Sequence, residues 1–198
     1  MIGAIVAGGG STRFSGEPKG LRRVGGSRII DRVAAALRGV CDELVVVAND
    51  PHASSWLAGA RVERDRRAER GSIVGVHSAL HAAAGADVLV AAWDMPFLTT
   101  ALVGELRRRL VLGVDAVVPE TSHGLEPFCA VYGAGTLPYL DAAIDAGEMR
   151  ASRVIESLAR VARLAGPELR AFGDPARLFF NVNSAADLEE AERMAREG

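Results

Sequence analysis

The sequence predicts a doubly wound α/β fold, a mostly parallel sheet with helices on both faces, and three observations carry that expectation. Short apolar runs without internal alternation, such as Ile2 to Ala7 and Val88 to Ala92, read as strands buried on both faces. Segments with apolar residues at helical spacing lie between them. Strand and helix then alternate along the first half, which implies right-handed crossovers. With 198 residues, 49% of them hydrophobic, the chain is long enough for one such domain, expected to span 1–198, and too short for a second.

The elements follow in order. Ile2 to Ala7 is a strand that runs into Gly8, Gly9 and Gly10. Ile29, Ile30, Val33 and Leu37 mark a first helix, with Ser27 as its expected cap and Gly39 as its stop. Leu44 to Ala48 is a second strand ending at Asn49, and Arg61 to Glu63 a short third ending near Asp65. Ser72 to Ala84 reads as helix, Val88 to Ala92 as a fourth strand ending at Asp94, and Thr99 to Leu112 as an amphipathic helix with Arg107, Arg108 and Arg109 on its basic face. Further strands are expected at Val114 to Val118 and Phe128 to Tyr132, with helices at Thr136 to Ala146 and Ala151 to Arg160. Leu178 to Asn183 precedes a closing helix whose Ser184 and Asp187 have the spacing of a capping box, with aspartate in place of glutamate.

Composition narrows the function classes. A net charge of −2 gives no global attraction to nucleic acid or to an anionic membrane, so any phosphate binding must be local. Cys41 and Cys129 are far apart and form no CxxC pair, which suggests neither a disulfide framework nor a zinc site. No run has the length of a membrane span and the first residues lack signal-peptide character, so a reducing cytoplasm is expected.

In open α/β sheets ligands gather beyond the carboxyl ends of the strands. Here those ends carry the glycine loop with Ser11, Thr12 and Arg13, then Asn49, Asp65, Asp94, Asn181 and Asn183. Glycine-loop amides suit phosphates, a carboxylate suits Mg2+, and asparagine amides suit a base, a ribose or a metal; each of these residues also has a plain turn-capping reading. A dinucleotide-binding GxGxxG fails at Arg13, and neither Gly10 nor Gly16 begins a P-loop. Lys19 stands behind Pro18, which stiffens its approach. His77 and His81 are four apart but lack the glutamate of HExxH and a third ligand in sequence, so they read as a partly solvated helix face. Arg64, Arg66, Arg67 and Arg70 read as a solvated run, or as a landing site for an anionic phosphate.

Ala7-Gly8-Gly9-x-Ser11-x-Arg13 followed by Lys19 resembles the signature loop of the molybdenum cofactor guanylyltransferase family, within the wider nucleoside-diphospho-sugar-type nucleotidyltransferases. The likeness extends through Asn49, Asp65, Gly71 to Gly75, Trp93-Asp94-Met95-Pro96, Glu126-Pro127-Phe128 and Asn181-Val182-Asn183, nearly the whole chain. Phe14, Ser15, Pro18 and the Gly71-Ser72-Ile73-Val74-Gly75 turn depart from the family pattern, yet none removes a charged or metal-binding group.

The resemblance implies a Rossmann-like enzyme that transfers GMP from GTP to the phosphate of molybdopterin and releases pyrophosphate. It implies nucleotide contacts from Val6, Ala7, Gly8, Gly9, Gly10, Ser11, Lys19, Asn49, Asp65 and Asp94. Catalytic roles fall to Lys19, Asp94 and Arg13, acceptor contacts to Asn181 and Asn183, and Mg2+ to Asp94. Its implied partners are GTP and molybdopterin, with other cofactor-biosynthesis or cofactor-accepting proteins beyond them, and neither nucleic acid nor membrane. Asp65 and Asn49 are expected to pair with guanine, with the backbone around Val6 and Ala7 completing the contacts. The alternatives are a cytidylyltransferase acting on the same pterin, a transferase for another phosphorylated acceptor, and a non-catalytic nucleotide-binding module.

Overall fold

A computed structural model of the protein describes residues 1–7, 13–14 and 17–197, and for residues 13, 14 and 17 it describes the backbone alone. After β1 (Ile2–Val6) come two small antiparallel pairs, β2 (Arg13–Phe14) with β3 (Glu17–Pro18), and β4 (Arg23–Val24) with β5 (Ser27–Arg28). Helix α1 (Ile29–Arg38) leads to β6 (Glu43–Val47) and β7 (Arg61–Glu63). Helix α2 (Ser72–Ala82) leads to β8 (Val88–Ala92), and α3 (Thr100–Arg109) to β9 (Ala116–Thr121). The chain continues through β10 (Gly124–Leu125), β11 (Cys129–Tyr132), α4 (Leu137–Asp145), α5 (Ala151–Ser157) and β12 (Val161–Ala165). It ends in α6 (Gly166–Arg170), α7 (Pro175–Leu178) and α8 (Ala185–Glu197).

The eight-stranded sheet has the order β10-β9-β11-β8-β1-β6-β7, with β12 parallel on β9. β7, β6, β1 and β8 are all parallel, and β11 is antiparallel to both β8 and β9. The chain moves from β1 outward to β6 and β7, then returns across β1 to β8. The gap between the carboxyl ends of β1 and β8 is therefore the topological switch point, where such folds open a ligand crevice.

Period-2 alternation divides the central strands between two cores. Ile5, Val46, Leu89 and Ala91 face α1 and α3, whereas Ala4, Val6, Val45, Val47, Val88 and Val90 face α2, α4 and α5. Both faces are apolar, which is why these strands read as continuous apolar runs.

Several boundaries differ from the sequence expectation. Ser27 lies in β5 and caps nothing; the N-cap of α1 is Arg28, whose guanidinium instead holds Asp31 of the first turn at 2.7 and 2.8 Å. Thr99 does cap α3, its side chain accepting from the Leu102 amide at 3.2 Å, but the helix stops at Arg109 rather than Leu112. Gly113, at φ +91°, reverses the chain there and leaves Leu112 exposed. The β9 strand begins two residues later than expected and runs to Thr121. β12 was not anticipated: its residues are mostly half-exposed at the sheet edge, so no buried apolar run marks it. The capping box at α8 is present as expected, the Ser184 amide donating to Asp187 Oδ2 at 2.8 Å and the Asp187 amide to Ser184 Oγ at 3.2 Å.

One close approach sets the position of Lys19. The rings of Trp56 and Trp93 stack with centroids 5.0 Å apart, and the backbone at Gly20 crosses the Trp93 face so closely that a Cβ there would lie 2.4 Å from the ring. Gly20→Ala is expected to destabilise the protein by about 1–3 kcal/mol through overpacking. A urea midpoint unchanged from the parent would contradict that packing.

Candidate active site

Three separate segments meet at the switch point. Lys19 opens a 3-10 turn after Pro18, Asp94 follows β8, and Asn183 precedes α8. The Lys19 Nζ donates to Asp94 Oδ2 at 2.5 Å and to Asn183 Oδ1 at 2.8 Å, contacts that span 75 and 164 residues of chain. The backbone supports the same meeting: the Val182 amide donates to the Asp94 carbonyl at 3.0 Å, and the Asn183 amide to Asp187 Oδ2 at 2.9 Å. Lys19 and Asp94 are each only 7% exposed. At that depth neither charge is tolerable without the other.

Two clefts share a wall here, and the smaller is lined by Asp94 and Asn183 of this centre. The larger, about 840 Å³, is lined by Asn49, Asp65, Arg70, Ser72 and Gly75 among others; the smaller, about 250 Å³, by Asp94, Glu126, Asn181 and Asn183. Val6 and Phe128 line both and form their common wall. Gly75 lets α2 approach that wall, since a Cβ there would sit 2.7 Å from Val6 Cγ1. Burial pushes the Glu126 carboxyl above the usual carboxylate range, although a 3.2 Å hydrogen bond from Thr121 works the other way. Glu126 and Phe128 stood in a sequence motif without an assigned role; their place on the smaller cleft comes from β11 lying beside β8, a pairing that sequence spacing does not reveal.

The residues expected from sequence fall out as follows. Gly8, Gly9, Gly10, Ser11 and Thr12 lie outside the described residues, and for Arg13 only the backbone is described. Asp94, Asn181 and Asn183 share the smaller cleft, and Asn49 and Asp65 the larger one. Asn49 Nδ2 donates to Asp65 Oδ2 at 2.7 Å and its Oδ1 accepts from the Asp65 amide at 3.0 Å, so it positions Asp65 on the wall of the larger cleft. The Val6 carbonyl accepts from the Trp93 amide at 3.2 Å, and the Ala7 amide donates to the Val47 carbonyl at 2.8 Å. The Asn181 side-chain amide donates to the Phe179 carbonyl at 2.9 Å, fixing its orientation at the cleft.

The reading of His77 as a partly solvated residue is also corrected. It is 1% exposed, and its Nε2 lies 3.0 Å from Asp141 Oδ1. Burial holds its pKa below the ordinary histidine value against the opposing pull of Asp141. Arg67 is likewise engaged, with Asp141 at 3.0 Å and Asp145 at 2.9 Å.

The Lys19 ammonium already occupies a position between a carboxylate and an amide oxygen. That oxygen chemistry fits a hard cation such as Mg2+, which is commonly held by one or two carboxylates together with substrate phosphates. Asp94→Ala, which strands the buried ammonium, is expected to cost about 3–5 kcal/mol of stability. Equilibrium denaturation showing a loss below about 1 kcal/mol, the scale of an exposed pair, would contradict the pairing described here.

Comparison with known proteins places the chain in a family. The family model of the MobA-like NTP transferase domain matches residues 3–161. A molybdenum cofactor guanylyltransferase from Desulfosudis oleivorans is 36% identical, covering 100% of this chain and 97% of its own, and a probable one from Pelotomaculum thermopropionicum is 36% identical over 98% and 92%. Among solved structures, the molybdopterin-guanine dinucleotide biosynthesis protein A from Archaeoglobus fulgidus superposes with a TM-score of 0.81 at 28% identity, covering 100% of both chains. A 2-C-methyl-D-erythritol 4-phosphate cytidylyltransferase from Thermus thermophilus shares the fold, with a TM-score of 0.66 at 22% identity over 98% of both. The chain, whose switch-point crevice carries the buried Lys19–Asp94 pair, belongs to the MobA-like NTP transferase family.

Proposed function

We propose that this protein transfers GMP from GTP to the phosphate of molybdopterin, releasing pyrophosphate and forming the guanine dinucleotide cofactor, with Mg2+ held at Asp94. The observation that carries this reading is the buried contact of Lys19 with Asp94 and Asn183, the latter two on the smaller cleft, in a chain similar over its full length to proteins named molybdenum cofactor guanylyltransferases. In this assignment the larger cleft takes the guanosine and the smaller one the acceptor. Cytoplasmic location is part of the proposal and is supported by two free cysteines, Cys41 and Cys129. Among the described residues no helix is long and apolar enough to cross a membrane.

The chemistry asks little of proton transfer. A phosphate monoester acceptor, with a second pKa of about 6, is already mostly dianionic at neutral pH, so no general base is needed. Displacement at the α-phosphorus then depends on alignment and on neutralising charge as pyrophosphate leaves. Lys19 supplies a cation whose direction is fixed by two acceptors, and Arg13 with the glycine loop is assigned to the triphosphate. Asn181 and Asn183 orient the acceptor phosphate toward Asp94. When bound, Mg2+ screens the phosphate oxygens and favours departure of pyrophosphate. Asn49 fixes Asp65, whose carboxylate suits the N1 and N2 donors of guanine; adenine presents an acceptor at N1 and would face like with like.

Pyrophosphate release measured with each of the four nucleotides, molybdopterin and Mg2+ tests the proposal. GTP is expected to support turnover well above the others, and Asp94→Asn, which keeps an acceptor for Lys19 but loses the anion, to remove most of it. A preference for CTP would move the protein to cytidyl transfer. No release with any nucleotide would leave a binding module.

A further inference from the structure

We propose that His77, His81 and Asp141 form a binding site for a divalent transition metal of the zinc class, joining α2 to α4. The two imidazoles and the carboxylate place their ligand atoms within 4.8 Å of one another. His77 and His81 lie one turn apart on α2, with ring centroids 4.8 Å apart and planes at 60°, and α4 brings Asp141 Oδ1 to 3.0 Å from His77 Nε2. A four-coordinate ion with bonds of about 2.0–2.1 Å separates its donors by roughly 3.3 Å. The His77–Asp141 edge is therefore already near the required length, and rotation of His81, which is exposed, closes the rest.

The donor set selects the class of ion. Two imidazole nitrogens with one carboxylate suit zinc and its neighbours and do not suit Mg2+, which takes oxygen ligands. Of the two His77 ring nitrogens, Nε2 faces Asp141 and the site; Nδ1, buried without a partner, carries the ring proton in the tautomer that a metal on Nε2 requires, an unpaired N–H that the metal–ligand bonds must offset. Arg67 is the group that faces the ion from outside, since it shares Asp141 Oδ1. It also holds Asp145 at 2.9 Å and keeps that partner when a metal takes the shared oxygen. Solvent reaches the site past His81 and the part-exposed Asp141, leaving a path for entry and a fourth position for water. Helix α2 starts at Ser72 on the larger cleft, so a metal here would fasten the wall of that cleft to α4.

The test is titration of the chelator-treated full-length protein with Zn2+ and Co2+, in excess Mg2+ to cover Asp94, followed by calorimetry, Tm and visible absorption. One equivalent of Zn2+ is expected, with a raised Tm and weak Co2+ d–d bands. His81→Ala and Asp141→Asn should each weaken binding at least tenfold and remove the Tm rise. Because His81 is exposed, its variant decides the matter if Asp141→Asn unfolds on losing its contact with Arg67. Unchanged affinity in His81→Ala, no binding at micromolar free Zn2+, or an intense thiolate-to-cobalt band pointing to Cys41 would each overturn the site.

Discussion

Burial of one lysine and one aspartate against each other is the constraint on which the rest of this molecule depends. Lys19 and Asp94 are nearly sealed from water, so the fold must bring them within hydrogen-bond distance or leave a charge without compensation. The parallel sheet does this by placing β1 beside β8, although more than eighty residues of helix and strand separate them. Trp93 anchors one side by stacking on Trp56, and the bare backbone of Gly20 lies against its face on the other. Asn183 then draws the far end of the chain to the same point through Lys19, with Asp187 holding its backbone.

This arrangement has a chemical consequence. A nucleotidyl transfer site must be rigid where charge develops, because reorganising dipoles during the reaction would raise the barrier. Here the cation is oriented by two oxygens, Asn49 orients Asp65, and Asn181 is held by the Phe179 carbonyl. The polar groups facing the clefts are thus positioned by neighbours that themselves belong to strand ends and helix caps. Val6 and Phe128, shared by both clefts, keep the two adjacent while separating them with an apolar wall.

Much of this was legible in the sequence because buried parallel strands are short apolar runs, and the residue that follows each is free to be functional. That logic pointed to Asp94, Asn49 and Asp65, which the structure places on the two clefts, and the Ser184–Asp187 cap announced itself by spacing. Other features were hidden for physical reasons. β12 is a half-exposed edge strand with no distinctive pattern, and Val111 and Leu112 extended the apparent periodicity of α3 past a turn set by Gly113. Asn49 is the right residue type for a polar contact at a strand end, but only coordinates show that its amide holds Asp65. His77 and His81 lacked a third ligand because Asp141 is 64 residues from His77 in sequence and joins it only through the packing of α4 on α2.

Under the proposed function Lys19 and Asp94 act as one unit in catalysis, and a double-mutant cycle on kcat/KM tests this. With Lys19→Met and Asp94→Asn measured singly and together under the same Mg2+ and nucleotide conditions, each single change is expected to remove most of the activity. The double variant should be scarcely worse than the weaker single one, as for groups that function together. Losses that simply multiply would show that the two residues act independently and that the buried pair is not a catalytic unit.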